Sequence, residues 1–381
     1  MFAIVNLQNV AKLNTVSVDG NMSYKFKILS IDGGGIRGII PAKILAEIEK
    51  RTGKRICELF DLIAGTSTGG ILALGLTKPN PKQPKEPHYT AKELSELYRE
   101  NGDRIFYEPF PERFTDVDDL VRPKYSSDGR DNVLTQYFGD TALPDALKEV
   151  FITSYDIELR APVFFTSKSR KQVTDSLVFR KICTGFTMKQ AAMATSAAPT
   201  YFEPYQVPTA HRTDRGFYSL VDGGIFANNP TSLALMEAII DSKKAGNPLH
   251  LEEILVISLG TGSLTRRYPY DQAKNWGLIG WVQPLLNITL DGSSEAVAVQ
   301  LEQLLPKAEN EPPQYYRFQQ FLSTANDRMD DATEENIKNL EKLADLIIAQ
   351  RTDDLDEMCK QLLATPPAEK TGSQPVEPPV S

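Results

Sequence analysis

Histidine, cysteine and tryptophan are scarce in this chain of 381 residues, which has three, three and two of them. Cys57, Cys183 and Cys359 stand far apart and form no C-x-x-C pair. That spacing excludes a dense disulfide framework and a cysteine zinc site, and it points to a reducing compartment. Basic charge is also short. Lys and Arg number 42 against 50 Asp and Glu, a formal net charge of -8, which argues against a nucleic-acid polymer held on a broad basic surface. No apolar run approaches the ~18 residues of a membrane-crossing helix. The N-terminus lacks a basic segment followed by an apolar run of about 7–15 residues, so no signal peptide is expected. The expected location is the cytoplasm. Action at the inner face of a membrane is compatible with this, because interfacial binding can rest on apolar side chains alone.

With 41% hydrophobic and 24% charged residues, the composition is that of a globular protein long enough for a sizeable core. The most informative stretch is Gly65-Thr66-Ser67-Thr68-Gly69-Gly70. Phe60–Ala64 before it reads as a short buried strand, and Ile71–Leu76 after it as an apolar helix. A serine on a strand-to-helix turn of G-x-S-x-G form is a nucleophile elbow. Gly65 and Gly69 are needed because the turn brings those positions together. The helix N-terminus below the serine favours developing negative charge. The plainer reading is a tight turn with a helix-capping serine.

A second glycine cluster lies upstream. The β-like run Phe26–Ile31 leads into Asp32-Gly33-Gly34-Gly35-Ile36-Arg37-Gly38 and then a helix from about Pro41 to Arg51. These glycines satisfy G-x-G-x-x-G, but a dinucleotide loop needs an acidic residue ~20 positions on, at the end of the next strand. Here that strand ends in the serine elbow, so no nucleotide cofactor is expected. The remaining reading is an oxyanion hole, in which backbone N–H groups approach a ligand with no Cβ in the way. A methyl at Gly34 is then expected to intrude where the oxyanion sits. Both loops belong at the C-terminal edge of a parallel sheet, where ligands bind. Further on, the strand-like Phe217–Val221 ends in Asp222-Gly223-Gly224, followed by Asn228-Asn229-Pro230 as a helix cap.

These three blocks, in this order, resemble the patatin-like phospholipase family, as does Ala194-Thr195-Ser196-Ala197-Ala198-Pro199. The resemblance covers about residues 25–262. It implies a three-layer α/β/α sandwich with a mainly parallel central sheet. It also implies Ser67 as nucleophile, Asp222 as its partner in a dyad, and oxyanion donors from Gly33, Gly34, Gly35 and Arg37. Gly38, Gly65, Gly69, Gly223 and Gly224 support the motifs. The implied reaction is hydrolysis of fatty-acyl esters of membrane lipids through an acyl-enzyme, with no metal or cofactor. Some bacterial members of the family are effectors switched on by a cyclic nucleotide in antiphage defence, so a cyclic-nucleotide activator is a further implied partner. Two alternatives remain: a catalytically inactive lipid-binding module, and a Ser67–Asp222–His250 triad in α/β-hydrolase order. His250 precedes the strand Ile254–Leu259, however, and belongs at the edge of the sheet away from the elbow. His88 and His211 lie in polar loops.

The remaining organisation is coarser. Residues 1–24 read as an N-terminal extension, 25–262 as the catalytic core, 263–364 as a helical C-terminal part packed on it, and 365–381 as a disordered tail. Thr90 with Glu93 forms a capping box that opens a helix to about Asn101. Residues 103–130 are irregular and aromatic, suiting either a lid or a loop tucked onto the core. Trp276 and Trp281 open an apolar stretch to about Leu290. Core packing is expected for them, with a membrane-facing or acyl-binding surface as the alternative.

Overall fold

The computed structural model describes residues 23–106, 123–168, 180–182, 185–210, 214–263, 265, 267–305, 311–323 and 325–365. Most of the proposed N-terminal extension, the tail from 366 and Tyr107, Phe110, Phe114, Cys183 and His211 lie outside them.

The strands are β1 (Phe26–Ile31), β2 (Leu62–Gly65), β3 (Glu149–Asp156), β4 (Ala161–Thr166), β5 (Arg180–Ile182), β6 (Tyr205–Pro208), β7 (Phe217–Asp222), β8 (Ile254–Leu259) and β9 (Tyr315–Phe318). The helices are α1 (Ile39–Thr52), α2 (Ile56–Leu59), α3 (Thr68–Thr77), α4 (Ala91–Ile105), α5 (Ser127–Phe138), α6 (Met188–Thr195), α7 (Gly224–Ala227), α8 (Thr231–Lys244), α9 (Tyr270–Ala273), α10 (Leu278–Leu304), α11 (Glu334–Gln350) and α12 (Thr352–Leu363). The sheet runs β5-β4-β3-β2-β1-β8-β9. Pairings from β3 through β2, β1 and β8 to β9 are parallel, as is β4 with β5. β3 meets β4 and β7 antiparallel, and β6 pairs β7 the same way.

The central strands are apolar on both sides because helices cover both faces. Alternate residues feed two clusters, as a side-chain period of two requires. Leu29 and Ile31 of β1, with Leu255 and Ile257 of β8, join the cluster that includes α1, α3, α6 and α11. Ile28, Ile254 and Val256 join the second, against Ala234 and Leu235 of α8 and Leu301 of α10. This is the expected α/β/α sandwich.

Two departures matter for the site. β3 is shared along one edge: Glu149–Ile152 pair β2, and Ser154–Asp156 pair β7 on that same side. Gly65 lies opposite Ile152 and Asp222 opposite Ser154. β7 therefore runs head-on toward the end of β2 and delivers Asp222 to the elbow. The C-terminal part is also not purely helical, since β9 joins the central sheet beside β8.

Candidate active site

Ser67 sits between β2 and α3 with φ 53° and ψ -122°, a positive φ outside a glycine. Such a conformation is strained and persists only where its surroundings enforce it. Here they do. A Cβ on Gly65 would lie 2.2 Å from the Gly69 carbonyl oxygen, and one on Gly69 would lie 2.2 Å from that of Ile31. The Ser67 N–H donates to Thr195 Oγ1 at 2.8 Å, which ties the elbow to the end of α6.

Asp222 is buried, and its Oδ1 accepts from the Gly224 N–H at 2.7 Å. Burial pushes its pKa up to about 6, against the lowering influence of the Ser67 hydroxyl, the Gly224 N–H and the Arg130 charge. Ser67 and Asp222 line the same cavity. Beneath them, Thr66 Oγ1 donates to the Ala227 carbonyl at 2.6 Å and meets Thr153 Oγ1 at 2.7 Å, joining elbow, β3 and α7.

The glycine loop is less uniform than expected. The Gly33 N–H donates to the Asn228 carbonyl at 3.0 Å, and the Arg37 N–H to the Gly34 carbonyl at 3.2 Å within a 3₁₀ turn. Those two donors are engaged. Gly34 and Gly35 line the cavity, and no backbone acceptor takes their N–H groups among the described residues. A Cβ on Gly34 would meet Thr261 Oγ1 at 2.3 Å, so an added methyl would strike this wall and not the oxyanion position. Thr261 Oγ1 donates to the Gly33 carbonyl at 2.6 Å, and the buried Arg37 guanidinium donates to the Gly34 and Gly262 carbonyls. Arg37 therefore shapes the loop from behind. Close packing explains Gly38 and Gly223 as well, where a Cβ would meet Thr68 and Thr153.

Ser67, Asp222, Gly34 and Gly35 open onto a cavity with about 870 Å³ of empty space, part of it open to solvent. Its walls include Ile71, Ile105, Phe106, Leu134, Phe202, Ile225, Leu286, Leu290 and Met329. The apolar walls suit an acyl chain. No histidine is among the lining residues. His250 is exposed beside the start of β8. The six residues of that strand, about 20 Å of chain, separate it from the loop edge of the sheet. Among the described residues, carboxylates with metal-ligand spacing occur at Glu149, Glu237 and Asp241, at the far end of β3, where Lys168 pairs with Glu149 and Asp241.

Family comparison matches residues 29–235 to the patatin-like phospholipase model. The chain belongs to that family. Patatin-like protein 1 of Arabidopsis thaliana is 34% identical over 355 residues, covering 85% of this chain and 81% of that protein. Patatin-like protein 2 of Oryza sativa subsp. indica is 32% identical over 361 residues, covering 86% and 85%. A Solanum tuberosum relative at 34% identity over 74% of this chain and 75% of its own is named a probable inactive patatin. The crystal structure of VipD from Legionella pneumophila aligns at 12% identity and TM-score 0.35 over 87% of this chain and 69% of that one, too distant to carry an argument.

The patatin-like framework contains site residues that the motifs did not announce. Arg130, in the first turn of α5, is fully buried. It donates to the Ser196 carbonyl and lies 4.2 Å from the Phe202 ring centroid. Burial lowers its pKa to about 10, against the pull of Asp222. Phe106 and Tyr125 flank the aromatic loop and pack edge to face at 5.6 Å, with Tyr125 stacked on Tyr201. This end of the loop is tucked onto the cavity wall. α4 also runs on to Ile105, past the expected end at Asn101. The tryptophans depart further, since neither is buried, and Trp281 is 40% exposed.

Proposed function

We propose that this chain is a lipid acyl hydrolase of phospholipase A type, working through a Ser67–Asp222 dyad. The observation that carries the reading is the placement of Ser67 and buried Asp222 on one apolar cavity, beside the Gly34 and Gly35 N–H groups that no backbone acceptor takes among the described residues. Asp222 takes the Ser67 proton as Oγ attacks the ester carbonyl carbon. The oxyanion is received by the N–H groups of Gly34 and Gly35, backed by the N-terminus of α3. The carbonyl–oxygen bond to the leaving alcohol breaks, and Asp222 returns the proton to that oxygen. Water then adds to the acyl-enzyme, giving its proton to Asp222. Collapse releases the fatty acid as Ser67 Oγ is reprotonated. Burial matters here, because a carboxylate near pKa 6 is a better base for serine than a solvated one near ~3.9.

The test is release of free fatty acid from phosphatidylcholine and phosphatidylglycerol vesicles with a chelator present, beside turnover of a short soluble p-nitrophenyl ester. Cleavage of both supports a lipid acyl hydrolase, and cleavage of the soluble ester alone reduces the reading to a general esterase. With neither cleaved and no serine labelled by a fluorophosphonate, the inactive lipid-binding module replaces it. His250→Ala should stay within a few fold of wild type, whereas a triad would lose as much there as at Ser67. Titrating cyclic dinucleotides into the same assay checks the implied activator and the antiphage role attached to it. No helix among the described residues is long and apolar enough to cross a membrane.

A further inference from the structure

The first half of α10 is packed unlike any other long helix here. Gly277 through Gln283 are exposed at every position. This stretch spans about two turns, or ~10 Å. Leu278 is 92% exposed and Ile279 68%. From Trp276 to Leu290 the sequence holds no Asp, Glu, Lys or Arg. A helix apolar all round belongs inside a protein core or in lipid, and this one stands outside the core.

Its inner side is firmly held. Gln283 Nε2 donates to the Tyr201 hydroxyl at 3.2 Å and Asn287 Nδ2 to that of Tyr268 at 3.1 Å. Trp276 packs edge to face on both Tyr268 and Trp281. Leu286 and Leu290, further along the helix, form part of the wall of the cavity that holds Ser67. One helix thus joins an exposed apolar surface to the apolar wall of the cavity that holds Ser67.

We infer that residues 276–285 are the bilayer-contact element of this protein, inserting shallowly into a lipid surface and setting the cavity mouth against the acyl layer. The inference rests on the lipid-hydrolase reading of the site. A second copy or another folded partner covers one face of a helix and leaves a polar rim. Here every position from Gly277 to Gln283 keeps exposed surface, including those that also touch the inner side, and a fluid apolar phase covers such a surface best. The first-turn N–H groups have no capping side chain at Gly277. They need water or headgroup oxygens, which holds the helix in the interfacial zone, the outer ~5–10 Å of the acyl boundary. Because the stretch carries no charge, contact does not depend on anionic lipid.

Both tryptophans of the chain lie in this element, so intrinsic fluorescence reads it without labelling. In a Ser67→Ala background, phosphatidylcholine vesicles, with or without phosphatidylglycerol, should shift the emission to the blue. Lipids brominated high on the acyl chain should quench it. The double substitution Leu278→Glu with Ile279→Glu should weaken partitioning at least about tenfold. The same pair in the wild-type background should leave turnover of a short soluble ester unchanged while vesicle hydrolysis falls. No emission change with either vesicle overturns the inference, as does a double variant that partitions like wild type. So does a wild-type dimer that the double substitution splits while vesicle binding is unaltered. Soluble-ester turnover separates the two claims: if it is absent while the vesicle signal is present, the hydrolase reading fails and the bilayer contact stands.

Discussion

At the scale of single residues, Asp222 links activity to stability. Its folded pKa is raised to about 6 by burial, above the ordinary carboxylate value. Folding therefore favours the protonated form. The stability it contributes is fully present below about pH 4 and is lost as pH rises through about 6. In the proposed dyad the same ionisation produces the base, so kcat/KM should rise with an apparent pKa near 6 and then level off. Asp222→Asn should abolish turnover yet be more stable than wild type at pH 7.5, by on the order of 3 kcal/mol, measured by thermal unfolding across pH. Asp291, near Arg37, is also raised to about 6 by burial, so Asp291→Asn serves as the control and should keep the acidic limb. Gly34→Ala is the second test. Its methyl forces back Thr261, which braces the Gly33 carbonyl, and so displaces both unengaged N–H groups. A kcat loss of about 10²–10³ is expected. Unchanged kcat per folded molecule would remove the loop from the mechanism.

At the scale of elements, the site depends on β7 arriving antiparallel at the end of β2. Thr66, Thr153 and the Ala227 carbonyl fasten that junction. Thr66→Val keeps the shape and removes the hydroxyl, leaving buried partners unsatisfied at a cost of about 1–3 kcal/mol. The expected readout is a lower kcat for the soluble ester with KM nearly unchanged, since the cavity walls do not move. Local signals in the sequence revealed much of this. The glycines at 65 and 69 and the apolar runs around them marked the elbow, because a tight turn restricts residue type at fixed offsets. The direction of β7 was not legible, since a strand run carries no mark of its partner's orientation. Only the first turn of α5 falls in the stretch 103–130 expected to be irregular, because charged residues and Gly129 interrupt the periodicity there, and Arg130 is hidden with it. The tryptophans depart from the expected core position because apolar composition alone cannot distinguish a buried helix from one exposed at the surface.

At the scale of the whole molecule, the C-terminal part completes the sheet and holds the start of the glycine loop. Arg317 of β9 grips Asp32 through two contacts at 2.9 and 2.6 Å and reaches Ser258 Oγ at 2.9 Å. Burial pulls the arginine pKa down, and the Asp32 carboxylate more than offsets it. Nothing near Asp32 in sequence announces a partner 285 positions away. Arg317→Ala leaves a buried carboxylate unpaired and should destabilise the protein by about 3–5 kcal/mol, read by denaturant unfolding. A change under ~1 kcal/mol would show that the pair is not needed.

In the proposed mechanism Ser67 carries the acyl group between two half-reactions. The direct measurement is an acid quench of the working enzyme on a slow acyl ester, followed by peptide mass analysis. The expected result is an adduct of acyl mass on the Ser67 peptide that forms and decays at the turnover rate and is absent from Ser67→Ala. Steady turnover with Ser67 never acylated, or undiminished turnover in Ser67→Ala, would contradict it.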